Sequence, residues 1–122
     1  IANLASANIL RLMIDLHTIG LERFQASAGE AAAMLRALSN EKRLMILCQL
    51  VDGEMSVGEI QSRVGLSQSA LSQHLALLRE DGVVTTRRES QTIYYCVTDQ
   101  AALRIIETLA ELFCPPEMRK QP

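Results

Sequence analysis

Tryptophan is absent, and two phenylalanines and two tyrosines are the only aromatic side chains in 122 residues. Any core must therefore be aliphatic, built from Leu, Ile, Val, Ala and Met. A basic surplus is missing too: 12 Lys and Arg face 14 Asp and Glu, a formal net charge of -2. That excludes a protein that coats nucleic acid by bulk charge, but not one with a local basic surface. No apolar run approaches the roughly 18 residues that span a bilayer, and no secretory leader pattern is evident. A cytoplasmic protein with no membrane partner is expected. Cysteine is scarce and odd in number, at three, which does not suit a disulfide framework. In a reducing compartment these thiols are left with redox chemistry, metal binding or packing. Two histidines in the whole chain are too few for an imidazole-rich zinc site. No nucleophile–base pair, carboxylate dyad or glycine-rich phosphate loop stands in a supporting context, so neither an enzyme nor a cofactor is expected.

What is present is a succession of helix starts and stops. Residues 1–26 read as an N-terminal extension, helical and apolar nearly all round over Ile1 to Gly20, with an i,i+4 pair at Arg11 and Asp15. It would either lengthen a dimer interface or remain poorly ordered. Residues 27–114 read as one domain and 115–122 as a C-terminal tail, disordered from Glu117 to Pro122. Ser27 and Glu30 have capping-box spacing for a helix to about Leu38. Asn40 caps the next helix, on which Leu44, Leu47, Cys48 and Val51 fall at i, i+3, i+4, i+7. Ser56 and Glu59 repeat the box, and Gly65 can end that helix in the left-handed conformation. Ser67 caps a helix with an apolar stripe of Leu71, Leu75 and Leu78. Two β-branched runs, Val83 to Arg88 and Thr92 to Val97, flank Glu89-Ser90-Gln91 as a hairpin. Thr98 caps a last helix to Cys114, where Pro115-Pro116 stops it. Its apolar face, Leu103, Ile106, Ala110 and Phe113 with Ile105, Leu109 and Leu112 beside them, is broader than one small core needs and suits a subunit interface. The fold class is mainly α with a small β-hairpin: a winged helix-turn-helix, homodimeric.

The helix-turn-helix, Ser56 to Asp81, carries the candidate DNA surface. Gln68, Ser69, Ser72, Gln73 and His74 stand opposite the leucine stripe, and such side chains hydrogen-bond base edges in the major groove. Small residues at 69, 70 and 72 allow close approach of the helix. Ser56, Ser67 and helix N-terminal amides can hold phosphates, with Arg63 and Arg79 as further candidates. Arg87, Arg88 and Gln91 lie at or beside the wing tip, within reach of the adjacent backbone or minor groove. Singly, each is an ordinary solvated polar residue. Together with the winged topology they point to double-stranded DNA, read as an inverted repeat by a dimer.

The segments ALSNEKRLMILCQL, MSVGEIQSRVGLSQSALSQHLALLREDGVV and RRESQTIYYCVTD resemble the ArsR/SmtB family of bacterial winged-helix repressors over about residues 29–114. One departure is Glu89-Ser90 in the wing, where many members carry Gly. The resemblance implies a homodimer formed largely by the first and last helices, and release from DNA when an inducer binds. The family's metal sites do not carry over. The Cys-Val-Cys position is Ser56-Val57-Gly58, and the Asp-x-His position is Asp99-Gln100-Ala101 in a helix without histidine. Cys48 and Cys114 instead resemble the cysteine pair of the thiol-sensing, BigR/SqrR/HlyU-like branch, which reacts with persulfides or oxidants.

From chemistry alone the packing reading wins. Cys48 lies on an apolar stripe, and Cys114 sits at a helix C-terminus, where the dipole disfavours a thiolate. The positional match reverses that preference. Cys96, in the second wing strand, reads as structural. The expected function is a DNA-binding repressor whose operator affinity is switched by persulfide or redox modification of Cys48 and Cys114. The alternatives are a metal- or metalloid-responsive repressor using the three cysteines, and a winged-helix module that binds protein.

Overall fold

The computed structural model describes residues 16–118 and, for side chains, 20–117. The apolar helix expected over Ile1 to Gly20 and the Arg11–Asp15 pair lie outside the described residues up to position 15, as does the tail from position 119. The chain divides into two compact units, Ile1–Leu35 and Arg36–Pro122.

Helix α1, Leu16–Leu38, is interrupted at Gly20, whose φ of 78° and ψ of 159° no helix accommodates. A residue with a Cβ pays a steric penalty there that glycine escapes. Ser27, expected to cap a helix, lies instead in the interior of α1. The helix begins upstream, so the amides that Ser27 would have capped already have carbonyl partners one turn earlier.

The second unit contains every fully buried apolar side chain among the described residues. Helix α2, Glu41–Leu50, is capped by Asn40, whose side chain accepts from Lys42 N at 2.9 Å and Arg43 N at 3.1 Å. It buries Ile46, Leu47 and Leu50. The stripe expected through Leu44, Cys48 and Val51 is rotated from this: those three are only half-buried. Leu44 to Cys48 are five consecutive apolar residues, so more than one face satisfies an apolar stripe, and packing chose the face centred on Leu47. α2 packs against four of the elements that follow it: α3 (Val57–Val64), α4 (Gln68–Glu80), β3 (Thr92–Val97) and α5 (Gln100–Phe113).

The sheet has three strands, not the two of a simple hairpin, in the order β1-β3-β2, all antiparallel neighbours. The added strand, β1, is only Met55–Ser56, paired with Tyr95 and Tyr94. β2 (Val84–Glu89) pairs with β3 from Val84↔Val97 to Glu89↔Thr92, leaving Ser90 and Gln91 as a two-residue turn. Ser90 takes a positive φ of 58°, the conformation for which glycine is otherwise favoured. α5 is capped by Asp99, which accepts from Ala102 N at 2.9 Å, and not by Thr98. The amide of Thr98 is held by the carbonyl of Val83, just beyond the last pair of the β2–β3 ladder, which keeps that residue outside the helix. After Cys114 the chain makes a 3-10 turn over Pro116–Met118, which takes in the first two residues of the stretch from Glu117 that was expected to be disordered.

The two serine boxes therefore differ in consequence. Ser56→Ala should lower stability by about 1 kcal/mol, the usual cost of losing an N-cap. Ser27→Ala should leave it unchanged or raise it by about 0.5 kcal/mol, because alanine is the better helix interior residue. Denaturant unfolding of both variants checks this; equal losses would contradict the uninterrupted course of α1 through Ser27.

Candidate functional site

Two surfaces gather the residues singled out from sequence. The first is α4 with the wing. The turn before α4 is set by Gly65, in the left-handed conformation (φ 67°, ψ 24°), with its N–H on the carbonyl of Gln61 at 3.1 Å. Gln61 also donates from its side chain to the carbonyl of Leu66 at 3.4 Å. Ser67 caps α4, its hydroxyl accepting from Ala70 N at 3.2 Å. Leu71, Leu75 and Leu78 are buried, as their spacing predicts, and Gln68, Ser69, Ser72 and Gln73 are exposed. At positions i, i+1, i+4 and i+5 these four form one contiguous polar patch. The first turn of α4 holds no acidic residue, so its positive helix end is left open to phosphate. His74 is half-buried, and its Nδ1 has no partner among the described residues. Arg79 lies at a shallow cleft between α4 and β3 that it shares with Ser72 and Tyr95.

Besides Ser67, two of the expected DNA ligands hold intramolecular partners, Ser56 and the exposed Arg87. The Ser56 hydroxyl donates to Glu59 Oε1 at 3.0 Å and accepts from Glu59 N at 3.3 Å, while Ser56 N donates to the same carboxylate at 3.1 Å. Its one proton is used in the capping box. Those bonds, from the Ser56 amide first and its hydroxyl second, hold the Glu59 carboxyl below the usual carboxylate range. Arg87 donates from Nε to both oxygens of Glu54, at 3.1 and 3.2 Å, and from Nη2 to Oε1 of the same group. Its Nη1 meets Glu89 at 3.0 Å, and the guanidinium lies over the Tyr94 ring, 4.6 Å from the centroid. Arg88 and Gln91 are exposed. Glu54 was invisible as a site residue in the sequence: it lies 33 positions from Arg87, and no local pattern links them.

The second surface is a groove of about 550 Å³ to which α2 and α5 contribute Cys48 and Cys114. Its walls are apolar, with Leu44, Met45, Val64, Ile106, Leu109 and Phe113, and Glu41, Gln49 and Arg63 stand at it as polar members. Arg63 belongs to α3, so the groove reaches the first helix of the helix-turn-helix. All three cysteines are thiols rather than disulfides, and each is half-buried. Burial pushes the Cys48 thiol above its ordinary value, and the neighbouring Cys114 adds to the rise. Cys96 is not in the groove; it lies in the sheet, with its Sγ 3.7 Å from Thr85 Oγ1. Among the described residues no three His, Cys, Asp or Glu side chains gather in a group able to hold a metal ion, and no helix is long and apolar enough to cross a membrane.

Residues 40–86 match the model of the bacterial regulatory protein arsR family. The chain is 49% identical over 96 residues to the transcriptional activator HlyU of Vibrio cholerae, covering 79% of this chain and 89% of that protein. It superposes on the reduced form of HlyU from that organism with a TM-score of 0.74, over 78% of this chain and all of the other. The crystal structure of the transcriptional repressor BigR from Xylella fastidiosa matches at 42% identity and a TM-score of 0.71, over 77% and 96% of the two chains. A homodimeric winged helix-turn-helix DNA-binding domain from Mycobacterium bovis matches at 29% identity and a TM-score of 0.66, over 75% of this chain and 85% of the other.

The raised thiol at position 48 has a testable sign. At neutral pH it is more fully protonated than a free cysteine, so iodoacetamide should modify Cys48 more slowly than it does glutathione. The rate should climb with pH to an inflection above the ordinary thiol value. By the same linkage, its contribution to stability is full below that ordinary value and is lost as pH rises through the folded value. Mass-resolved alkylation across pH checks this; an inflection below the free-thiol value would contradict the burial argument.

Proposed function

The chain belongs to the arsR family of bacterial regulatory proteins, and we propose that within it this protein is a homodimeric repressor switched by persulfide or oxidant at Cys48 and Cys114. Membership makes it a winged-helix, DNA-binding transcriptional regulator. The sensing chemistry, the dimer, the operator and a cytoplasmic location are the proposal. The observation that carries the sensing reading is that two thiols 66 positions apart in sequence line one groove. The half-exposed apolar residues of α5, with Leu112 and Phe113 70% and 77% exposed in the single chain, support a second copy packing there. A two-fold dimer presents two α4 helices, which suits an inverted repeat with half-sites one helical turn apart.

The chemistry balances without a metal. The Cys48 thiolate attacks the outer sulfur of an organic persulfide RSSH, forming Cys48–S–SH and expelling RS⁻. A second equivalent converts Cys114 in the same way. The terminal sulfur of the Cys114 persulfide then attacks the inner sulfur of the Cys48 persulfide and expels HS⁻. Two thiols and two RSSH become one trisulfide bridge, two RSH and one H₂S. The bridge ties α2 to α5, and with them the packing of α4 in each protomer. DNA affinity falls to the extent that the bridged form fits successive major grooves less well. The metal-responsive alternative must gather Cys48, Cys96 and Cys114, and the place of Cys96 in the sheet, outside the groove, weighs against it. The intact polar face of α4 weighs against a purely protein-binding module.

Reduced protein treated with an organic persulfide should gain the mass of a sulfur-containing bridge between Cys48 and Cys114 and lose DNA binding. Cys48→Ser and Cys114→Ser should each abolish both changes. If both variants keep the persulfide response, the proposal is wrong; if stoichiometric Zn²⁺ rather than persulfide releases DNA, the metal reading replaces it.

A further inference from the structure

Arg87 and Arg88 are adjacent in sequence and stand on opposite faces of the wing, because side chains alternate along a strand. Arg88 shares its face with Val84, which is buried, and is opposite Ile93. Arg87 shares the other face with Thr85 and is opposite Tyr94. β2 is not hydrogen-bonded to β1; β3 lies between them. The Arg87 side chain therefore crosses the middle strand over the Tyr94 ring to reach Glu54, the residue just before β1. Two strand spacings amount to about 10 Å, a span that needs an extended arginine and a partner that reaches back.

The directions of the guanidinium are largely occupied: one edge by Glu54, Nη1 by Glu89, one π face by Tyr94. Locally one cation faces two carboxylates, so this face of the wing carries net negative charge and offers a phosphate no attraction. Among the described residues Arg88 has no recorded ion pair or hydrogen bond. Glu54 lies two positions before Ser56, the cap of α3. A tie between Glu54 and β2 thus links the wing to the start of the helix-turn-helix, across a β1 ladder of only two residue pairs.

We propose that Arg87 is a positioning residue and not a DNA ligand: its fork on Glu54, braced by Tyr94 and Glu89, sets the angle of the wing to the helix-turn-helix, and Arg88 is the wing's phosphate-contacting cation. The inference rests on the DNA-binding reading and is independent of the cysteine chemistry.

The test compares Glu54→Gln, Arg87→Lys and Arg88→Gln with wild type, using a duplex selected from a random library by the wild-type protein. A lost phosphate contact lowers the slope of log K against log salt by about 0.9. Arg88→Gln should do this. Arg87→Lys keeps the charge but cannot reproduce the bidentate fork; it should weaken binding at every salt concentration with the slope unchanged. Glu54→Gln removes a negative charge close to the wing, so electrostatics alone would tighten binding, whereas loss of the strut weakens it. Amide hydrogen exchange of the free protein supplies a readout without DNA: both Glu54→Gln and Arg87→Lys should speed exchange across residues 84–97. Tighter binding by Glu54→Gln, or wild-type binding by Arg87→Lys, overturns the proposal. So does unchanged exchange in the wing of both variants, whatever DNA does. Absence of binding by the wild-type protein would count against the DNA reading, and the exchange result would still decide the strut.

Discussion

Ile46, Leu47 and Leu50 are excluded from solvent, and the short helix that carries them is the packing partner of α3, α4, β3 and α5. Burying those three aliphatic side chains gives roughly 1.5–3 kcal/mol each, on a ten-residue helix too short to be stable alone in water. The helix exists because its neighbours cover it, and the neighbours hold their places because it is there. This mutual dependence couples any change at α2 to both helices of the helix-turn-helix. Cys48 follows Leu47 directly in the chain, on the flank that looks into the groove. A covalent change there acts on the helix against which the recognition helix is packed, through a densely filled core that has little room to absorb it.

Much of the architecture was legible because the local signals and the tertiary fold agree. Ser56 with Glu59, Gly65, Ser67 and the leucines at 71, 75 and 78 each state a helix boundary or a buried face, and each is met in the structure. The failures occur where two local signals compete. Ser27 and Glu30 have the spacing of a cap, but α1 is already under way, and a capping serine works only where amides lack partners. Thr98 and Asp99 are both good caps; the Val83 carbonyl takes the amide of Thr98 and leaves Asp99 to begin α5. On α2, the five consecutive residues from Leu44 to Cys48 are all apolar, so periodicity could not say which flank faces the core.

The candidate site divides along the same line. Residues whose position depends on helix spacing, such as the exposed Gln68, Ser69, Ser72 and Gln73, could be placed from sequence. Those whose role depends on a distant partner could not. Arg87 next to Arg88 reads as a pair of cations offered to DNA, and only the strand order reveals that Arg87 is turned toward Glu54. The converse holds for Cys48 and Cys114. Local chemistry describes an aliphatic stripe and a helix end, and the groove that brings the two thiols together belongs to the tertiary fold.

Ser56 belongs to two elements at once. It is the last residue of β1, paired with Tyr94, and the cap whose hydroxyl starts α3. Strand register and helix phase are therefore one variable at this residue. A single residue inserted between Ser56 and Val57 would force the chain either to uncap α3 or to slide β1 against β3, turning Met55 out of the core. The loop at Asp52-Gly53, a few residues earlier, carries no such coupling. Length variation among relatives should accumulate there, and the spacing from β1 to the recognition helix should stay constant.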